Sequence, residues 1–152
     1  MNIENVSAKA RIRIHESPSE VFAAFADARK MSKFWFTRRD HGLKEGKSIK
    51  WFLGSREDAL SFDVFVKELS EPYRLVIEWV GHDGNPTQVS WSFEETEERD
   101  TILTIEESGY AGTREAIIER VLDSTGGFNQ VIIAAKALVE HGAELNVVAD
   151  HA

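Results

Sequence analysis

The sequence predicts an α+β domain in which a curved antiparallel sheet of about six strands is covered by a long C-terminal helix. Three observations carry that prediction. Six segments alternate apolar and polar residues with the period of two that marks a half-buried strand. Five of them follow one another with only short turn signals between, as in an antiparallel meander. Near the end, Asn129 to Gly142 has the helical period instead, with Phe128, Val131, Ile132, Ala135, Leu138 and Val139 on one face. An antiparallel sheet with one apolar face needs a cover, and this segment is the element long enough to supply it.

In chain order, Ala8 to His15 alternates Ala8, Ala10, Ile12 and Ile14 against Lys9, Arg11, Arg13 and His15. Ser17-Pro18-Ser19-Glu20 is a helix start: a capping serine, proline at the first helical position, and Glu20 three residues after the cap. A short helix follows with Val21, Phe22, Phe25 and Ala26 inward. Ala28 to Phe36 reads as a second short helix or irregular turn. Its cluster Phe34, Trp35, Phe36 is too apolar to stand free in water. Strands are then predicted at Ser48–Leu53 (Trp51 and Leu53 inward), Leu60–Leu69 (Phe62, Val64 and Val66) and Arg74–Val80 (Leu75, Ile77 and Trp79). Two more follow at Gln88–Glu95 (Val89, Trp91 and Phe93) and Thr101–Glu107 (Leu103 and Ile105). Gly81 to Pro86 is rich in turn residues. Arg114 to Leu122 has a helical pattern, and Gly126-Gly127 is expected to interrupt it before the main helix. Gly142 follows as its stop signal, and Leu145 to Ala152 forms a short packed extension that frays at the end.

The chain has 152 residues, 42% of them apolar, which suits a single domain over residues 1–152 with a full core. Its formal net charge of -8 argues against nucleic acid or an anionic membrane surface as the main partner. Arg38-Arg39 is the one compact basic pair. The absence of cysteine rules out disulfides, thiol catalysis and Cys-based zinc sites, and suits the cytoplasm. Met1 to Asn5 does not read as a signal peptide, and no apolar stretch nears the roughly 20 residues that span a bilayer.

The candidate chemistry lies on the inward faces. Trp51, Trp79 and Trp91 read either as an aromatic-lined pocket or as ordinary core, since aromatics bury large areas in any case. Glu107 shares its face with Leu103 and Ile105. Glu78 lies on a strand apolar on both faces. A carboxylate within an apolar pocket can act as acid or base, although a strand end or solvated face is the commoner place for Glu. Tyr110 and His82 fall near the expected mouth. The five histidines show no i, i+4 ligand spacing, so no metal is expected. Gly81-His82-Asp83-Gly84 lacks the lysine and helix of a phosphate loop, and Ser108-Gly109-Tyr110 lacks the glycine that precedes the serine of a nucleophile elbow. No cofactor is called for.

Several stretches together resemble a known family: Arg11-Ile12-Arg13-Ile14 with Ser17 to Phe22, Pro72 to Val76, Thr101 to Tyr110, and Gly126-Gly127-Phe128 with Ala135 to Gly142. The layout resembles the START-like (SRPBCC, Bet v 1-like) helix-grip superfamily and is most similar to its branch named after the activator of Hsp90 ATPase. Two departures are Phe128, where many relatives carry Trp, and the added helical stretch Thr113 to Ser124. The resemblance covers nearly the whole chain but brings no invariant catalytic motif. It implies a cavity between sheet and helix for a hydrophobic or amphipathic small molecule, lipid- or polyketide-like. The residues expected to line it are Trp51, Phe62, Val64, Ile77, Trp79 and Trp91. Phe93, Leu103 and Ile105 extend that face, and Phe128, Ile132 and Ala135 face it from the helix. It also implies two other roles. One is an enzyme of the cyclase/dehydratase or hydrolase type using Glu107 or Glu78. The other is a chaperone-associated interaction domain, for which an exposed Phe34-Trp35-Phe36 patch would be the surface. Monomer and homodimer both fit the sequence.

Overall fold

Residues 5–54, 56–80 and 84–152 are described by a computed structural model. One seven-stranded sheet is antiparallel throughout, in the order β1-β7-β6-β5-β4-β3-β2. Its strands are β1 (Ala8–Ile14), β2 (Arg38–Arg39), β3 (Ser48–Leu53), β4 (Leu60–Ser70), β5 (Arg74–Val80), β6 (Pro86–Glu95) and β7 (Thr101–Ser108). The short helices α1 (Pro18–Ala26) and α2 (Ala28–Met31) lie between β1 and β2, and α3 (Arg114–His141) closes the order. The six expected strands are all present. The seventh, β2, is a two-residue bridge to Phe52 and Trp51, too short to show any periodicity.

The alternation sets the register as expected. On the inner face Trp51 opposes Phe62, Val64 opposes Trp79, and Trp91 lies between Leu75 and Ile105. On β4 the register shifts between Val66 and Glu68, which inserts an extra residue and bends the strand. At α1, the Ser17 hydroxyl accepts from the Glu20 amide at 3.3 Å, with Pro18 opening the helix.

The expected break at Gly126-Gly127 does not occur. α3 runs unbroken for 28 residues, about 42 Å at 1.5 Å per residue. Thr113 caps it, its hydroxyl accepting from the Ala116 amide at 3.2 Å, and Gly142 ends it in the left-handed region at φ 66°. Each helical glycine costs about 1 kcal/mol relative to alanine. Burial on both sides of the pair, by Ile117 before it and Phe128, Val131 and Ile132 after it, outweighs that cost. The C-terminal half of α3 is tied to β1: Lys136 Nζ donates to the Arg13 carbonyl at 2.7 Å, and the His15 amide donates to Glu140 at 2.8 Å. No described helix is long and apolar enough to cross a membrane.

Candidate functional site

The inner face of the sheet has two ends of different chemistry. At one end, alternation along β5, β6 and β7 brings Trp79, Thr87 and Glu107 together. Trp79 opposes Thr87, and Val89, two residues on from Thr87, opposes Glu107. The Glu107 side chain lies in a residue only 1% exposed. Three donors converge on it: Trp79 Nε1–H on Oε2 at 2.8 Å, the Thr87 hydroxyl on the same oxygen at 2.5 Å, and the Tyr110 hydroxyl on Oε1 at 2.7 Å. This is the donor set a buried carboxylate needs. Tyr110, on the loop from β7 to α3, sits beneath the Arg120 guanidinium, which lies 5.3 Å from its ring centre. Burial, reinforced by Glu107, pushes the Tyr110 phenol above its ordinary pKa, while a hydrogen bond from Ser124 and the charge of Arg120 pull the other way.

The other end is aromatic and centres on Trp35. Its ring packs against Phe25, Phe36, Trp51, Trp79, Trp91 and Phe128, with centroids 4.8 to 6.4 Å away. Trp79 stacks on Phe128 of α3 at 6.3 Å and 12°. Trp51 and Trp91 are fully buried, and their indole N–H groups have no hydrogen-bond acceptor among the described residues. Arg39 closes the floor. Its Nη1 donates to the Ala26 carbonyl at 2.7 Å and its Nη2 to the Phe25 carbonyl, so it caps the C-terminal end of α1. The guanidinium lies 4.8 Å from the Trp51 ring centre, and burial brings its pKa down to about 10 against the opposing charge of Asp27. Arg38 and Arg39 therefore form no joint basic patch: Arg38 covers Phe52 at 3.7 Å while Arg39 turns inward.

The expected lining residues all belong to this interior. Trp51, Val64, Ile77, Trp91, Leu103 and Ile105 are fully buried on the sheet, with Phe93, Trp79 and the partly buried Phe62 beside them. Phe128, Ile132 and Ala135 are buried on α3. Two open pockets, of about 270 and 350 Å³, lie at the C-terminal tail; neither lies between the sheet and α3, where the cavity was expected, and only the first reaches the interior, at Phe34 and Trp35. The first is bounded by Phe34 and Trp35 on one side and Val147 and Val148 on the other; the second lies between Gln130 and the end of the tail.

Three expectations need correction. Glu78 is exposed and faces outward, because the inward parity on β5 belongs to Leu75, Ile77 and Trp79; Val76 is buried from the outer side, which made both faces read as apolar. The cluster Phe34, Trp35, Phe36 is no exposed patch, since all three are buried at 3%, 8% and 2% exposure. Its aromatic density signalled burial, but nothing in the sequence placed Trp35 at the centre of the interior. The third is the helix break already described. Thr87 was missed, although its parity with Val89, Trp91 and Phe93 points it inward. His82 lies outside the described residues.

Sheet, covering helix and aromatic interior define a helix-grip domain of the START-like superfamily. The sequence matches the family described as activator of Hsp90 ATPase homolog 1-like protein over residues 15–140, and the chain belongs to that family. Solved structures share the fold. A Staphylococcus saprophyticus protein matches with a TM-score of 0.76 at 21% identity, over 93% of this chain and 96% of that one. A protein of the dynemicin biosynthetic locus matches at 0.75 and 19% identity, over 91% of this chain and 48% of that one. The Aha1 dimer from Colwellia psychrerythraea matches at 0.71 and 20% identity, over 90% and 98%. No curated protein matches the sequence.

Proposed function

We propose that this chain binds a hydrophobic or amphipathic small molecule between the inner face of the sheet and α3. The observation that carries the reading is the pair of unpaired indole donors of Trp51 and Trp91 within a fully buried aromatic interior. Buried polar groups are paired in the great majority of cases, so two unpaired donors on rings 6.5 Å apart suit an acceptor brought in from outside. The neighbouring protein of a biosynthetic locus agrees with the handling of small molecules. The test is native mass spectrometry of the purified protein, followed by small-molecule analysis of a denatured extract. The expected result is a stoichiometric adduct carrying an oxygen or nitrogen acceptor. A bare mass, together with unchanged tryptophan fluorescence across a panel of apolar ligands, would refute the reading.

A second reading, an enzyme of the cyclase/dehydratase or hydrolase type, draws on the Tyr110–Glu107 contact, which sets a proton donor beside a buried carboxylate. Against it, both Glu107 oxygens are already engaged by donors from the protein itself. Loss of turnover in Glu107→Gln with ligand binding retained would favour the enzyme. The chaperone-associated reading loses its motive with the burial of Phe34, Trp35 and Phe36.

A further inference from the structure

Trp35 occupies an unusual place. It belongs to neither a helix nor a strand, but to the turn between α2 and β2. Its amide donates to the Met31 carbonyl at 2.8 Å, and two residues on the Thr37 amide rejoins the sheet at the Phe52 carbonyl, 2.9 Å away. The indole can therefore rotate without unpairing any strand. Its inner side touches the rings of Trp51 and Trp91, at 6.4 and 6.1 Å, the two indoles whose donors are unpaired. Its outer edge borders the open pocket of about 270 Å³ beneath the tail, where Val147 and Val148 offer an apolar wall. Trp51 and Trp91 also touch each other, at 6.5 Å, so the three rings form a triangle. A single side chain thus packs against both unpaired donors' rings and has beside it an open space of mixed lining, with Lys33, Thr37 and Glu144 as well as Val147 and Val148.

We propose that Trp35 is a displaceable plug: a planar ring-sized ligand bearing a carbonyl- or ether-type acceptor takes its place against Trp51 and Trp91, while the indole moves beneath the C-terminal tail. The proposal rests on the small-molecule reading above and adds the ligand's shape, its acceptor and the residue it displaces. Planarity follows from the ring surroundings of Trp35, whose edge-on and tilted contacts favour a flat partner. The acceptor follows from the two indole donors, which leave a purely hydrocarbon ligand facing unpaired N–H groups.

The probes are chromone, which is planar with a carbonyl, and naphthalene, of similar size without an acceptor. Titrated by calorimetry, Trp35→Gly is expected to bind chromone at least about tenfold more tightly than the wild type does, because the plug is gone. It is expected to prefer chromone to naphthalene by about tenfold, and to lose that preference when Trp91→Phe is added. Folded Trp35→Gly that binds neither probe, or both equally, overturns the proposal. A second measurement uses the wild type labelled with 5-fluorotryptophan, with the Trp35 signal assigned through Trp35→Phe. Saturating chromone is expected to move the Trp35 fluorine signal to a solvent-sensitive position. Chromone bound with that signal unmoved overturns the plug and leaves interior binding standing. A native adduct of a ligand without acceptor or ring overturns the proposed ligand class alone.

Discussion

Trp79 and Trp91 stand on adjacent strands of one sheet, on the same face, yet their indole N–H groups have opposite fates. Trp79 donates to Glu107 at 2.8 Å and to Thr87 at 3.0 Å, whereas Trp91, like Trp51 on β3, has no acceptor among the described residues. The polar end of the interior is thus internally complete. The aromatic end is packed but chemically incomplete. A network whose members are all paired fixes one arrangement of the core. Unpaired donors beside a side chain on a turn leave room for exchange. The contrast fits a structural role for the first end and, under the proposed function, binding at the second.

The contrast can be broken from its rigid side. Glu107→Ala leaves the buried Thr87 and Tyr110 hydroxyls without their acceptor and Trp79 with only its longer bond to Thr87, and is expected to destabilise the fold by about 3 kcal/mol, measured by urea unfolding. The same truncation at three places then sharpens it. Trp79→Phe is expected to cost about 2.5 kcal/mol, combining a smaller ring with the lost bond to a carboxylate. Trp51→Phe and Trp91→Phe lose only ring volume and are expected to cost about 1 kcal/mol each. Equal costs at all three positions would erase the distinction between the two ends. A smaller effect lies on α3, where a Cβ at Gly126 would meet nothing within 4 Å, so Gly126→Ala is expected to stabilise by about 0.7 kcal/mol.

The last effect is confined to acid. Asp100 is held well below the usual carboxylate range by Arg13 first, with Thr96 and His15 adding to it. A carboxylate with a depressed folded pKa contributes stability that is present above its unfolded value, about 3.9, and is lost as pH falls below it. Unfolding midpoints of the wild type are expected to drop on acidification below about pH 4, and Asp100→Asn to flatten that limb.

The sheet was legible because one residue in two is buried along β1, β6 and β7, and the same parity pointed Glu107 inward beside Leu103 and Ile105. Parity failed at β5, where Val76 is buried on the outer face and Glu78 gained a false inward reading. It was silent at β2, whose two residues show no period, and at Trp35, which lies on a turn where no period applies. The glycine pair in α3 was misread because local propensity marks a break. The long-range packing of Ile117 and Phe128, which holds the helix together across it, is invisible to a window of sequence.

The most direct test of the account is the indole region of a ¹⁵N–¹H correlation spectrum of the free protein, assigned with the three Trp→Phe variants. The Trp79 indole proton is expected downfield, shifted by its bond to Glu107, and the Trp51 and Trp91 protons upfield, where unpaired indoles resonate. Three downfield indoles, all hydrogen-bonded in the free protein, would contradict it: the aromatic end would then be as complete as the polar one.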